Sequence, residues 1–156
     1  MRRTGLILAG LLLLAVGASA QTRPNFSGEW KLNTSKSNFG QTPAPSSLTQ
    51  KIAHNDPDLK VQTAQTMAFG DINTDFSFTT DGKECQNAMG NDFHMTSTVK
   101  WEGDVLVFDS KMDFQGNALT GTDKWTLSPD GKTLTQQRHF VGPMGEGDVV
   151  IVLDKQ

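Results

Sequence analysis

The segment that decides the fold spans residues 94–140 and reads HMTSTVKWEGDVLVFDSKMDFQGNALTGTDKWTLSPDGKTLTQQRHF. Apolar and polar side chains alternate along four stretches of it, which is the period of a β-strand with one buried face. Turn-forming groups, Gly-Asp at 103–104, Gly-Asn at 116–117 and Pro-Asp-Gly at 129–131, separate the stretches. The segment therefore predicts four antiparallel strands joined by hairpins.

The same alternation continues in both directions from this segment. No stretch after residue 20 has apolar residues at helical spacing over ten or more positions, so the chain is expected to be all-β. Turn signals predict ten strands between residues 27 and 154, with one long Ser-, Pro- and Asn-rich loop at Asn33–Ser47. A run of hairpins without a long crossover favours a single antiparallel up-and-down β-barrel of about 8–10 strands.

The turns also predict the hairpin register. Two-residue loops at 103–104 and 116–117, with a three- or four-residue turn around 129–131, place one polar row across four strands: Ser97, Ser110, Asp123 and Gln136. The rows on either side are expected to be Val99, Phe108, Trp125 and Leu134, and Met95, Met112, Gly121 and Arg138. Because an unpaired buried polar group costs roughly 1–3 kcal/mol, water or a ligand inside the barrel is expected to satisfy the polar row.

The inward face thus predicts a ligand site of aromatic, Met and polar side chains. Asp123 and Arg138 allow two interpretations, a buried ion pair that satisfies itself or a pair that recognises a ligand. Aromatic and Met side chains in such positions belong to a packed core more often than to a cavity wall, and Met suits either role. The candidate ligand-binding residues are Phe76, Phe78, Met95, Ser97, Phe108, Ser110, Met112, Asp123, Gln136 and Arg138.

Residues 1–20 have the pattern of a cleaved signal peptide. Arg2 and Arg3 precede an apolar run that closes on Ala18-Ser19-Ala20, and this run is too short for a spanning helix. We expect a β-barrel domain at residues 21–156, secreted or periplasmic and not membrane-spanning. The single cysteine, Cys85, allows no internal disulfide.

Charge and motifs exclude several function classes. The net charge of −3 offers no basic surface for nucleic acid. No motif of a hydrolase nucleophile, a zinc protease or a phosphate-binding loop occurs, so no enzyme activity is predicted. His54, His94 and His139 lack the short spacing of zinc sites, and neither a metal nor a cofactor is expected.

Gly28-Glu29-Trp30 resembles the G-x-W motif of the lipocalin and fatty-acid-binding-protein group, the calycins. The resemblance implies a calycin-like barrel that Gly28 and Trp30 close at its base, with Arg138 packed across the Trp30 ring. The opening NFSGEWKLNTSKSNFG is also similar to that of secreted bacterial proteins described as lipocalin-like. The chain departs from the group in several ways: it has a single cysteine where typical lipocalins carry disulfides, prolines occupy the region of the usual helical lid, and Arg138-His139-Phe140 replaces the R-x-Y that holds a fatty carboxylate.

Together these features predict an exported monomer that binds a small hydrophobic or amphipathic molecule inside a barrel. One alternative is a filled barrel that acts as a protein-interaction module through Val105, Val107 and the loop at Asn33–Ser47. An enzyme of the same fold, or a haem-binding protein that uses His139, is a further alternative.

Overall fold

A computed structural model describes residues 23–88, 94–114, 116–143 and 145–156. The predicted signal peptide lies outside these ranges. The described residues contain no helix, and all ten strands pair antiparallel, as the alternation predicts. The strands are β1 Gly28–Leu32, β2 Ser47–Asn55, β3 Asp58–Met67, β4 Gly70–Thr79, β5 Asp81–Ala88, β6 His94–Glu102, β7 Val105–Phe114, β8 Asn117–Leu127, β9 Thr133–Gly142 and β10 Gly145–Lys155. Within the described ranges, no segment forms a helix that could cross a bilayer.

The sheet curls into a nearly closed up-and-down barrel. Its strand order is β4-β3-β2-β1-β10-β9-β8-β7-β6-β5, so the first and last strands pair, and every other pair of neighbours is consecutive in the chain. A long loop joins β1 to β2, and the other consecutive neighbours are joined by short connections. The edges that remain, β4 and β5, face each other without a backbone ladder. The predicted all-β barrel is confirmed.

Side chains of β5 close the gap between the two edges. The Asn87 amide accepts a hydrogen bond from Ser77 N at 2.8 Å and donates one to Ser77 O at 3.1 Å. The Cys85 Sγ accepts from Thr79 N at 3.2 Å. The backbone groups that an edge strand normally leaves unpaired are thereby satisfied at these positions.

The predicted register is correct for β6 and β7, where Ser97 pairs with Ser110. It is wrong by two residues in the next two hairpins. Phe114 pairs with Asn117, so Gly116, at φ +81°, takes the second position of the connection instead of the first. The connection between β8 and β9 is wider than predicted, since Leu127 pairs with Leu134.

A two-residue shift keeps every side chain on its predicted face but changes its neighbours. The continuous polar row is therefore a wrong prediction. Ser97 and Ser110 continue into Gly121 and Phe140, as the successive pairs show, whereas Asp123 pairs with Phe108 on one side and with Arg138 on the other. Gly121 does not lie opposite Arg138.

The barrel is closed at the end where β1 begins. Phe26 is fully buried there, with its ring centroid 5.7–5.9 Å from the rings of His54, Trp101 and Trp125. The Trp30 Nε1–H donates to Phe26 O at 2.9 Å, which fixes the incoming chain against the first strand. We call this Phe26-centred cluster the closed end.

The cation over Trp30 is Lys155 and not Arg138. Lys155 Nζ lies 5.3 Å from the ring centroid because Lys155 is the cross-strand partner of Trp30 at the β1–β10 seam. Arg138 lies in the middle of β9 and its guanidinium is bound to Asp123. A Cβ at Gly28, whose φ is +144°, would stand 2.7 Å from Lys155 Cε, so the glycine makes room for that lysine.

The first part of the long loop predicted at Asn33–Ser47 is hydrogen-bonded to the side of the barrel. Asn38 and Val150 exchange two backbone hydrogen bonds of 2.7 and 2.8 Å, and Asn33 N donates to Val152 O at 2.8 Å. Residues 33–38 therefore extend the contact between β1 and β10.

Candidate functional site

The barrel encloses a lumen of two joined lobes. Each lobe has a volume of about 190 Å³, and both are lined by Phe76, Met95, Ser110, Asp123 and Arg138. The basal lobe lies toward the closed end. It is completed by the apolar side chains Leu48, Val61, Phe78, Phe108, Trp125 and Ile151 and by the polar side chains Gln50, Thr63, Gln65, Thr74 and Gln136. The distal lobe is completed by Met112, Leu119, Thr120, Gly121 and Phe140.

The structure brings nine of the ten predicted ligand-binding residues to this lumen. The exception is Ser97, which is 1% exposed and lines neither lobe. Its hydroxyl is 2.7 Å from that of Ser110, so Ser110 reaches the lumen with one hydrogen bond already made. The nine residues meet because the two-residue shifts preserve their inward orientation.

Asp123 and Arg138 form an ion pair at the junction of the two lobes. Arg138 Nε lies 2.9 Å from both carboxylate oxygens, and Nη2 lies 2.8 Å from Oδ2. The Asp123 carboxylate raises the pKa of Arg138, which keeps the guanidinium charged. The two side chains are 19% and 44% exposed, and both line the lumen.

These two residues are the only ionisable side chains among the described residues that line either lobe. Their charges cancel, so the lumen carries polar groups without a net charge. Asp123 and Arg138 thus satisfy each other, as the first interpretation predicts. Both side chains also line the lumen, so a molecule inside the barrel would contact them.

A second polar contact crosses the basal lobe between two distant strands. Gln136 Nε2 donates to Gln50 Oε1 at 2.8 Å, and the two side chains are 1% and 8% exposed. Gln136 Oε1 and Trp125 Nε1 are buried without a hydrogen-bond partner among the described residues. Sequence reasoning missed Gln50; the available signal was its inward position between Leu48 and Ile52 in the alternation of β2.

Two glycines on the last hairpin shape the distal lobe. A Cβ at Gly147 would stand 2.7 Å from Phe140 Cζ, and one at Gly142 would stand 2.6 Å from Leu119 Cδ1. Both apolar side chains therefore lie flat against the wall over a neighbouring glycine, which leaves lumen volume beside them.

The remaining candidate residues lie away from the lumen. His139 is on the outer face, where its Nδ1 lies 2.9 Å from Asp148 Oδ1, so it cannot ligate a haem held in the lumen. His54 belongs to the closed end. In the part of the chain that the structure describes, no group of three His, Cys, Asp or Glu side chains could hold a metal ion.

Three solved structures have similar folds, and each aligns with this chain over nearly its whole length. A secretory abundant heat soluble protein from Ramazzottius varieornatus is 12% identical with a TM-score of 0.59, covering 87% of this chain and 98% of that one. Secretory abundant heat soluble protein 4 from the same organism is 14% identical with a TM-score of 0.59, covering 87% and 97%. Zebrafish ileal bile acid-binding protein, complexed with cholic acid, is 17% identical with a TM-score of 0.53, covering 84% and 98%.

The fold is calycin-like. The resemblance seen in Gly28-Glu29-Trp30 is thus confirmed for the fold. No protein-family model matches the sequence, and the comparison with curated proteins finds no match. At these levels of identity the similarity extends to the fold alone.

Proposed function

We propose that this protein binds a small hydrophobic or amphipathic molecule in the lumen of its barrel and performs no reaction on it. The observation that carries the proposal is the two-lobed lumen, in which aromatic, Met and aliphatic side chains lie beside polar groups that include the Asp123–Arg138 pair. A cavity that combines apolar and aromatic walls with placed polar groups is typical of small-molecule sites. Zebrafish ileal bile acid-binding protein, complexed with cholic acid, supports a binding role by analogy, and none of the three similar structures is named as an enzyme.

The filled-barrel alternative receives less support from the same observations. The lumen is hollow. Val107, which this alternative needs as an exposed contact residue, is only 3% exposed. The long loop is held against β10 along its first part. We therefore retain the carrier function as the proposal.

Filling the distal lobe tests this function. Met112→Trp adds an indole to a residue that lines the lobe, whereas Lys111→Trp adds it to the next residue of β7, which points outward and is exposed. We expect Met112→Trp to weaken the binding of an apolar fluorescent dye at least tenfold and Lys111→Trp to leave it unchanged. Equal dye binding by both variants, with melting temperatures like the wild type, would contradict a lumen site.

The proposal includes export of the mature domain, residues 21–156, as a secreted or periplasmic monomer. Expression of the full chain in a bacterial host, followed by cell fractionation and N-terminal sequencing, tests it. We expect the exported chain to begin at Gln21 and to have the mass of a monomer in solution. A full-length chain that stays in the cytoplasm would contradict this prediction.

A further inference from the structure

The polar centre of the lumen is electrically neutral. Asp123 and Arg138 neutralise each other through three N···O contacts of 2.8–2.9 Å, and no other described lining residue carries a charge. The other unpaired polar atoms beside the basal lobe, Trp125 Nε1 and Gln136 Oε1, are also uncharged. A ligand that enters therefore meets donors and acceptors but no net attraction for an ion.

The ion pair still offers hydrogen bonds of both kinds. A guanidinium has five N–H donors, and Asp123 occupies Nε and one side of Nη2, which leaves the Nη1 group and one Nη2 hydrogen. Each carboxylate oxygen retains acceptor capacity as well. A hydroxyl or primary amide can donate to Asp123 and accept from Arg138 at the same time, because it carries both functions.

A carboxylate cannot use the pair in this way. It can only accept, and any position near Arg138 also places it near the Asp123 carboxylate. Attraction by one charge and repulsion by the other then largely cancel, while the cost of removing the ligand anion from water remains.

Resting on the proposed carrier function, we infer that the ligand is an uncharged amphiphile whose hydroxyl or amide group binds between Asp123 and Arg138, and that ionised fatty acids are disfavoured. The apolar remainder of the ligand extends into the distal lobe, past Met112, Leu119 and Phe140, and along the apolar side of the basal lobe, past Phe78, Phe108 and Ile151. Asp123 is thus the residue that determines specificity against anions, and removing its charge should convert the site into one for carboxylates.

The experiment compares 1-dodecanol with dodecanoate as competitors of an apolar fluorescent dye at pH 8, where the acid is ionised. The proteins are the wild type, Asp123→Asn and Asp109→Asn. Asp109 lies on the outer face of β7 and accepts from Thr122, so its variant makes the same charge change outside the lumen. We expect the wild type and Asp109→Asn to bind dodecanol at least tenfold more tightly than dodecanoate, and Asp123→Asn to bind dodecanoate at least tenfold more tightly than the wild type does.

Three results would overturn the inference, and they are distinguishable. Wild-type protein that binds dodecanoate as well as dodecanol refutes the ligand class and leaves the carrier function standing. The same is true of a folded Asp123→Asn variant that gains no affinity for dodecanoate. If no folded protein binds the dye or either competitor, the carrier function fails and the inference with it.

Should Asp123→Asn fail to fold, Arg138→Gln gives the second measurement, since it leaves the Asp123 carboxylate as the only charge in the lumen. We expect this variant to bind dodecanoate at least tenfold more weakly than the wild type and to retain binding of dodecanol. Unchanged dodecanoate binding by a folded Arg138→Gln variant would refute the role of the pair.

Discussion

The Asn87 side chain takes the place of a backbone partner at the open seam of the barrel. It is 7% exposed, and its amide pairs with both the N–H and the C=O of Ser77 on the opposite edge strand. An amide group can do this because it carries a donor and an acceptor side by side, as a peptide group does. The seam between β4 and β5 therefore depends on side chains, Asn87 together with Cys85, where the other seams depend on a backbone ladder.

Removing this amide should destabilise the protein measurably. We expect Asn87→Ala to lower the free energy of unfolding by about 1–3 kcal/mol, because two backbone groups of Ser77 lose their partner. Gln86→Ala, at the exposed neighbouring position, should change it by less than about 0.5 kcal/mol. Urea denaturation of both variants measures the difference, and equal midpoints would show that Asn87 does not hold the seam.

His54 makes the closed end sensitive to acid. Its Nδ1 accepts from Phe26 N at 3.3 Å, so the proton is on Nε2, which lies 3.7 Å from Asp56 Oδ1. Burial lowers the pKa of His54 below 6.5 even though the Asp56 carboxylate acts in the opposite direction. Protonation would add a hydrogen to the nitrogen that receives the Phe26 N–H.

The sign of the pH dependence follows from this lowered pKa. The unfolded chain binds a proton at His54 as the pH falls through 6.5, before the folded chain does, so the stability is complete above that pH and declines below it. We expect the urea midpoint of the wild type to fall between pH 7.5 and pH 5.5. His54→Asn, which keeps an acceptor for Phe26 N–H, should remove most of that fall, whereas His139→Asn on the outer face should not. A His54→Asn variant with the same decline as the wild type would contradict this assignment.

Asp56 makes the stability of the closed end depend on pH in a second, more acidic range. Burial acts to raise the pKa of this carboxyl, but hydrogen bonds from Thr80, Trp101 and Arg23, with the charge of Arg23, outweigh it and lower the pKa below 3.8. Its contribution to stability is present above pH 3.8 and is lost as the pH falls through the lowered value. The closed end therefore loosens in two steps on acidification, the first through His54.

Among the strands, the hairpin of β9 and β10 controls the shape of the lumen. Phe140 lies over Gly147, its cross-strand partner, and a side chain at position 147 would have to displace the ring. The backbone of Gly147 does not have the left-handed conformation that only glycine tolerates, so it can accept a side chain without backbone strain. The consequence of a substitution should therefore appear in the lumen.

Gly147→Val should push the Phe140 ring into the distal lobe. We expect the variant to bind an apolar fluorescent dye at least fivefold more weakly than the wild type while remaining folded. Glu146→Val introduces the same side chain at the next residue, which is exposed on the outer face, and should bind the dye normally. Dye titration measures the affinity of both variants, and circular dichroism checks that they are folded. Normal dye binding by Gly147→Val would show that the Phe140 ring does not move inward.

The strands also show how far the sequence determines the site. Alternation places nine of the ten predicted side chains at the lumen because face assignment depends only on odd and even positions. The register of β7 with β8 could not be decided in the same way, since turns at 115–116 and at 116–117 both preserve the faces. The neighbours of Asp123 follow from the register, so the predicted polar row is wrong, whereas the inward orientation of Asp123 and Arg138 was enough to predict their ion pair as one of two interpretations.

Contacts across the barrel are less predictable still. Gln50 meets Gln136 through the curvature of the whole sheet, and no local pattern encodes that distance. The cation over Trp30 depends on the pairing of β1 with β10, which brings Lys155 to the ring from the far end of the chain. Both contacts require the closure of the barrel to be known first.

Considered as a whole molecule, the barrel separates its tightly packed closed end from the distal lobe, and the basal lobe between them shares Trp125 with the closed end. The fully buried apolar side chains lie at the closed end and near it, including Phe26, Leu59, Leu106, Leu134 and Leu153, each 0% exposed. The distal lobe is lined instead by side chains such as Met112, Leu119 and Phe140. A calycin-like barrel can keep a lumen only if the packing elsewhere is sufficient to fold it, because a hollow interior forfeits the contacts that a packed core would make.

This separation predicts that the same substitution at two phenylalanines has very different effects on folding. Phe26→Ala should lower the free energy of unfolding by about 3–5 kcal/mol, since it leaves a cavity among His54, Trp101 and Trp125. Phe69→Ala, at a side chain that is 73% exposed in the turn after β3, should change it by less than about 0.5 kcal/mol. Urea denaturation followed by tryptophan fluorescence reports on both variants. If Phe26→Ala were no less stable than Phe69→Ala, the closed end would not be what holds the barrel together, and the lumen could not owe its open volume to packing at that end.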